Sequence, residues 1–161
     1  MTLPLWLSLV AVCCIGAMSP GPSLAVVLRH TLSNGRSHGI VTAVTHAFGV
    51  AIWALLTIQG LALLVTQMPM LYMVITWAGA GYLAWLGVKA IRSKGSNKLT
   101  VDSSPSPLSE AALDGVMISL LNPKLAVFFI ALFSQFVSTE LTVVDQVIMI
   151  ATVASIDSLW Y

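Results

Sequence analysis

The chain has 161 residues, 58% of them hydrophobic and 8% charged, and a mean hydropathy of +0.95, against about 25% charged in an ordinary soluble domain. A domain of this size in water must cover a large surface with polar groups, so the composition excludes a soluble globular protein and makes lipid the solvent for most of the surface. Seven Lys plus Arg against six Asp plus Glu leave a formal net charge of +1, which excludes a basic field that would gather nucleic acid.

Along the chain, apolar stretches of about 20 residues, the length of a membrane-spanning helix, recur with turn residues between them. The first span is expected from about Leu3 to Leu28. Met1 to Leu5 carries no Lys or Arg, and no Ala-x-Ala site follows the apolar run, which argues against a cleaved leader. Cys13 and Cys14 are adjacent, a poor disulfide geometry, and no second pair exists for a zinc site; they read as packing residues. Further on, Ser19-Pro20-Gly21-Pro22 interrupts the span. Each proline removes an N–H and clashes with the carbonyl four residues earlier, freeing the carbonyls of Gly16 and Met18. Gly21 lets the chain turn, and Ser19 or Ser23 is positioned to cap a second half-helix.

A loop with Arg29 and Arg36 leads to the second span, Ile40 to Thr66, which holds His46 about one and a half turns in and small residues at Ala43, Ala47, Ala51 and Ala54. An uncharged turn near Gln67 precedes the third span, Met70 to Val88, with Gly79, Ala80, Gly81, Ala84 and Gly87 on a close-packing face. Residues 93–110, rich in Ser, Asn, Pro and Lys, read as a linker. It separates a first half, residues 1–92, from a second, residues 111–161. The fourth span, Val116 to Val137, is interrupted by Asn122-Pro123-Lys124, a good N-cap and first turn. The fifth runs from Gln146 to Tyr161, roughly 24 Å of helix where the hydrocarbon core needs roughly 30 Å, and contains Asp157.

Loops one and three hold the basic residues, while loops two and four do not, so the N-terminus is expected outside the cytoplasm. Both proline breaks fall in the first helix of a half, and three-helix halves enter the membrane in opposite senses. The expected fold is therefore an all-α polytopic helix bundle, a 3+3 inverted-repeat transporter with the second repeat incomplete. Paired interruptions of this kind point to a midplane site, and a helix N-terminus there suits a carboxylate. Lys124 lies roughly 12 Å deep from the cytoplasmic end, and Asp157 about 13 Å from the same side. The two are expected to pair or to share a substrate's charges, since charge in a membrane needs a partner. His46 titrates near neutrality when unperturbed and is a candidate proton relay.

Several segments together resemble the LysE/RhtB family of amino-acid exporters: Ser19-Pro20-Gly21-Pro22, Gly79-Ala80-Gly81-Tyr82-Leu83-Ala84-Trp85-Leu86-Gly87, Leu121-Asn122-Pro123-Lys124 with Phe128-Phe129 and Gln135-Phe136-Val137, and Asp157 with Trp160-Tyr161. The resemblance implies a six-helix, multi-pass protein of the bacterial inner membrane that exports amino acids against proton entry, often as a homo-oligomer. It implies no chemistry on the substrate and no cofactor. By the same resemblance Ser19, Pro20, Gly21, Pro22, Asn122, Pro123, Lys124 and Asp157 belong to the translocation pathway. Many members carry Gly and an acid in the second helix, where this chain has Thr45 and Val50, which argues against a cationic substrate. Ser134 stands where a Pro before the Gln-Phe pair is usual. The expected function is export of amino acids or related zwitterions. The alternatives are a metal exporter of similar fold, for which His46 and Asp157 are too sparse a ligand set, and a truncated product lacking the sixth helix.

Overall fold

The computed structural model describes residues 1–92, 106–138 and 140–161, so the expected linker lies mostly outside the described residues. Among them the chain forms α1 (Leu3–Met18), α2 (Pro22–Asn34), α3 (Arg36–Gln67), α4 (Pro69–Arg92), α5 (Leu108–Leu120), α6 (Pro123–Phe133) and α7 (Val143–Trp160), with no strands. Helices α1 and α2 form one span bent by 61°, and α5 and α6 another bent by 53°; α3 and α7 are long and apolar enough to cross a membrane unbroken. Helix α4 covers the third expected span. The protein is a polytopic helical membrane protein.

Both bends fall where the prolines stand, because a proline has no N–H for the helix ladder. Helix α1 stops at Met18, and the Ser19 N–H turns back to the carbonyls of Ile15 and Gly16, so one of the two freed carbonyls is bonded again. Helix α2 starts with Pro22 at its first position, where the missing N–H costs nothing.

The helices run further than the expected spans. Residues Arg29 to Asn34, polar enough to read as a loop, continue α2, and Gly35 alone separates α2 from α3. Gly35 has φ 89°, a conformation that side-chain-bearing residues rarely adopt. The earlier start of α3 puts His46 ten residues after Arg36, about 15 Å of rise along the helix. Helix α5 likewise begins at Leu108, inside the expected linker, and α7 begins at Val143, three residues ahead of Gln146.

Helix α3 is the central element, packing against α2, α4, α5, α6 and α7. Its crossing with α5 is close: a Cβ on Gly115 would lie 2.4 Å from the Thr42 carbonyl oxygen, and one on Gly49 would lie 1.8 Å from Ser119 Oγ. Trp53 Nε1 donates to the Ser119 carbonyl at 3.1 Å, locking the same crossing. Buried Phe129, Phe133, Leu9, Ile58 and Met149 fill the space among α1, α3, α6 and α7. In lipid such contacts stabilise through packing rather than through escape from water.

The two ends of the bundle differ. At one, the Tyr72 hydroxyl of α4 lies 2.7 Å from both the Ser134 and the Val137 carbonyl oxygens after α6. At the other, the Ser106 N–H donates to Asn34 Oδ1 at 3.0 Å, so α2 ends where α5 is about to begin. The two bent spans therefore run in opposite senses.

Candidate functional site

The two breaks meet inside the bundle. Lys124 Nζ, on the first turn of α6, donates to the Ser19 carbonyl oxygen at 2.7 Å, and Asn122 Nδ2 donates to Ser23 Oγ at 3.2 Å. Asn122 also caps its own helix, its Oδ1 accepting the Lys124 N–H at 3.0 Å. The expected cap on α6 is thus present. That on α2 is not: Gly21 stands at the N-cap and no side chain caps the helix. Ser19 is instead the C-cap of α1, and Ser23 is engaged by Asn122. The reason is that Pro20 and Pro22 hold Ser19 on the far side of the break. Of the two half-helix N-termini only that of α2 keeps its first amide donors without a side-chain cap, so the expectation that both offer donors holds for one.

Gly21 does not supply a turn. Its φ of −161° is extended backbone, which any residue adopts. What stands against a side chain there is Lys124: a Cβ on Gly21 would lie 3.2 Å from Lys124 Nζ, a tight contact with the flexible end of a side chain, and 3.5 Å from its Cδ, an ordinary one. The lysine side chain reaches the Ser19 carbonyl across the space a side chain at Gly21 would fill. Pro20, Pro22 and Pro123 touch no charged group in the described contacts; their part is to open the helices.

Beside this junction lies a cavity with Gly21, Ser23, Asn122, Lys124 and Asp157 on its wall. Phe128, Phe129, Val153 and Ile156 make the apolar part. Phe128 can lie there because Gly16 faces it; a Cβ on Gly16 would be 2.4 Å from the ring. The volume is about 40 Å³, against roughly 10–15 Å³ for a single water on the same measure. That is room for a few waters.

Asp157 is buried, and its Oδ2 is 2.7 Å from Nδ1 of His46, which is 0% exposed. With the carboxylate ionised, Nδ1–H donates. The other ring nitrogen, Nε2, is buried with no hydrogen-bond partner. The Tyr161 ring packs edge-on to the imidazole, centroids 5.2 Å apart. Lys124 and Asp157 line one cavity, but the side chain hydrogen-bonded to Asp157 is that of His46. The sequence offers no local signal for this pair, which is separated by 111 positions.

A second polar cluster was not anticipated. Arg29 Nη2 donates to Asp114 Oδ2, His30 Nε2 is 2.9 Å from the same oxygen, and His38 Nε2 is 2.9 Å from the Ser106 carbonyl. Arg29 and His30 in α2 are thereby tied to α5. No group of three or more His, Cys, Asp or Glu side chains arranged to hold a metal ion occurs among the described residues.

Comparison with known proteins gives one family: a family model described as LysE type translocator matches residues 14–161. The chain is 33% identical over 139 residues to an uncharacterized membrane protein of Vibrio cholerae, covering 85% of this chain and 67% of that one. It is 33% identical over 141 residues to the threonine efflux protein of Escherichia coli K12, covering 84% and 68%. With the leucine efflux protein of Klebsiella pneumoniae it shares 32% identity over 122 residues, 75% of this chain and 58% of that one. No solved structure matches it.

Proposed function

The chain belongs to the LysE type translocator family, and from that membership we propose that it takes part in exporting neutral amino acids across the bacterial inner membrane, in exchange for entering protons. The substrate enters the cavity between the two breaks. Its carboxylate meets the Lys124 ammonium and the uncapped first amides of α2, where the helix dipole favours an anion. Its ammonium meets the Asp157 carboxylate on the opposite charge pole of the same cavity. A side chain without charge packs on Phe128, Phe129, Val153 and Ile156. The single observation that carries this reading is that one cavity between paired helix breaks holds a cation, an anion and an apolar wall. The relatives named for threonine and leucine efflux support it.

The opposed bent spans support an inverted-repeat transport mechanism, in which the breaks stay at the centre while the halves rock about them. Arg29 and Arg36 support a cytoplasmic α2–α3 turn and an outer N-terminus. The protein catalyses no covalent step.

The reading is tested by expressing the chain in a bacterium preloaded with labelled threonine, leucine, lysine or a divalent metal and following efflux. Faster efflux of threonine or leucine, with lysine and metal unchanged, is the expected result. Metal efflux with no amino-acid efflux would replace this reading.

A further inference from the structure

Behind the cavity wall, on Asp157, stands a polar group that substrate binding leaves without a purpose. His46 is wholly buried in α3, one nitrogen on Asp157 and the other, Nε2, without a hydrogen-bond partner among the described residues. With Nδ1–H on Asp157, Nε2 carries the ring's lone pair and has no donor facing it, so it is the atom of this pair at which a proton would be added. Burying an ionisable pair within membrane spans is costly, and such residues mark ion pathways.

We propose that His46 and Asp157 form the proton-carrying pair of the exchange, and that proton and substrate compete for the Asp157 carboxylate; this rests on the amino-acid export reading above. When Nε2 takes a proton, the ring becomes an imidazolium whose Nδ1–H neutralises the carboxylate. Asp157 then has little attraction for a substrate ammonium. When Nε2 gives the proton up, the pair carries one net negative charge, and the ammonium of the amino acid takes the place of the lost positive charge. One proton and one zwitterion thus alternate at the same carboxylate, with no bond formed or broken except N–H.

The direction follows from the sign. The more alkaline side favours the deprotonated pair, in which Asp157 is open to substrate. On the more acidic outer side the proton binds and the substrate leaves. Because the two bindings are linked, substrate must release a proton to the same degree that a proton weakens substrate binding. The other titratable or charged groups facing the pair are Cys13 from α1 and Lys124 from α6, both on the cavity wall with Asp157, and Tyr161 at the end of α7. Those of α2 and α5, His30 and Asp114, are engaged with each other in the separate cluster.

The test uses the full chain in sealed vesicles, with labelled threonine and an internal pH dye read together. Wild type is expected to move protons opposite to threonine. In His46→Gln, which keeps a donor for Asp157 but cannot titrate, the number of protons moved per threonine falls at least tenfold; Asp157→Asn loses both movements. A His46→Gln protein with the wild-type proton ratio overturns the proposal while leaving amino-acid export standing. If wild type moves no amino acid, the export reading falls and the proposal with it. A measurement independent of any variant is calorimetry of threonine binding to wild type in two buffers of different ionisation enthalpy. Proton release per threonine that rises toward one as the pH is lowered supports the pair, and binding with no proton release at any pH rejects it.

Discussion

The ammonium of Lys124 closes the break in the first bent span from the first turn of the second, lying 2.7 Å from the Ser19 carbonyl oxygen. A charged donor to a carbonyl at a helix break stabilises a group that lipid would leave unsatisfied, and it fixes where the cation stands. The same side chain leaves little room for a bulky residue at position 21.

Lys124→Met should therefore lower amino-acid efflux by about 10- to 100-fold, the range of losing a hydrogen bond to a charged group worth about 1.5–3 kcal/mol. The effect should fall mainly on the apparent affinity for substrate. Transport assays across a range of threonine concentrations check this.

Gly21 makes a sharper prediction because its backbone is unstrained. Gly21→Leu should impair transport nearly as much as Lys124→Met, and combining the two should add little, since both act by removing the ammonium from its place. A double-mutant cycle on efflux measures this coupling. Full additivity would mean that Gly21 acts through something other than Lys124.

The α3–α5 crossing predicts stability rather than transport. Gly115→Ala places a methyl 2.4 Å from a backbone oxygen, which cannot yield as a flexible side chain would, and overpacking of this kind costs about 1–3 kcal/mol. Gly49→Ala meets the Ser119 side chain instead, so Ser119→Gly should rescue it but not Gly115→Ala. Thermal unfolding in detergent, followed by helical circular dichroism, separates the two.

At the end of the bundle where α2 meets α5, Arg29 and Asp114 are each about a third or more exposed, so their ion pair is worth no more than about 1 kcal/mol. Its role is to hold α2 against α5. The single charge reversals Arg29→Asp and Asp114→Arg should each slow efflux, and the double reversal should recover most of the loss. Efflux in the three variants, compared at matched expression, checks this.

How much of this was legible in the sequence depends on how local each cause is. The two breaks were, because proline acts on its own helix whatever surrounds it, and Asn122 caps α6 from one residue away. Helix ends were less so. Arg29, His30, Ser33 and Asn34 look like a loop by polarity, yet nothing before Gly35 stops the helix, and their partner Asp114 is 85 positions from Arg29. The choice of Lys124 as the partner of Asp157 followed charge alone. Which side chain actually reaches Asp157 depends on how α3 and α7 are rotated against each other, and no pattern within either helix encodes that. His46 was legible as a candidate and its partner was not, because Asp157 lies 111 positions away on another helix.

The central claim is that one cavity holds both charges of an amino acid, its carboxylate at Lys124 and its ammonium at Asp157. The most direct measurement is equilibrium binding to the purified chain of threonine, its methyl ester and its N-acetyl derivative. Blocking either charge should weaken binding at least tenfold, with Lys124→Met abolishing the difference between threonine and the ester. Equal affinity for all three compounds would contradict the account.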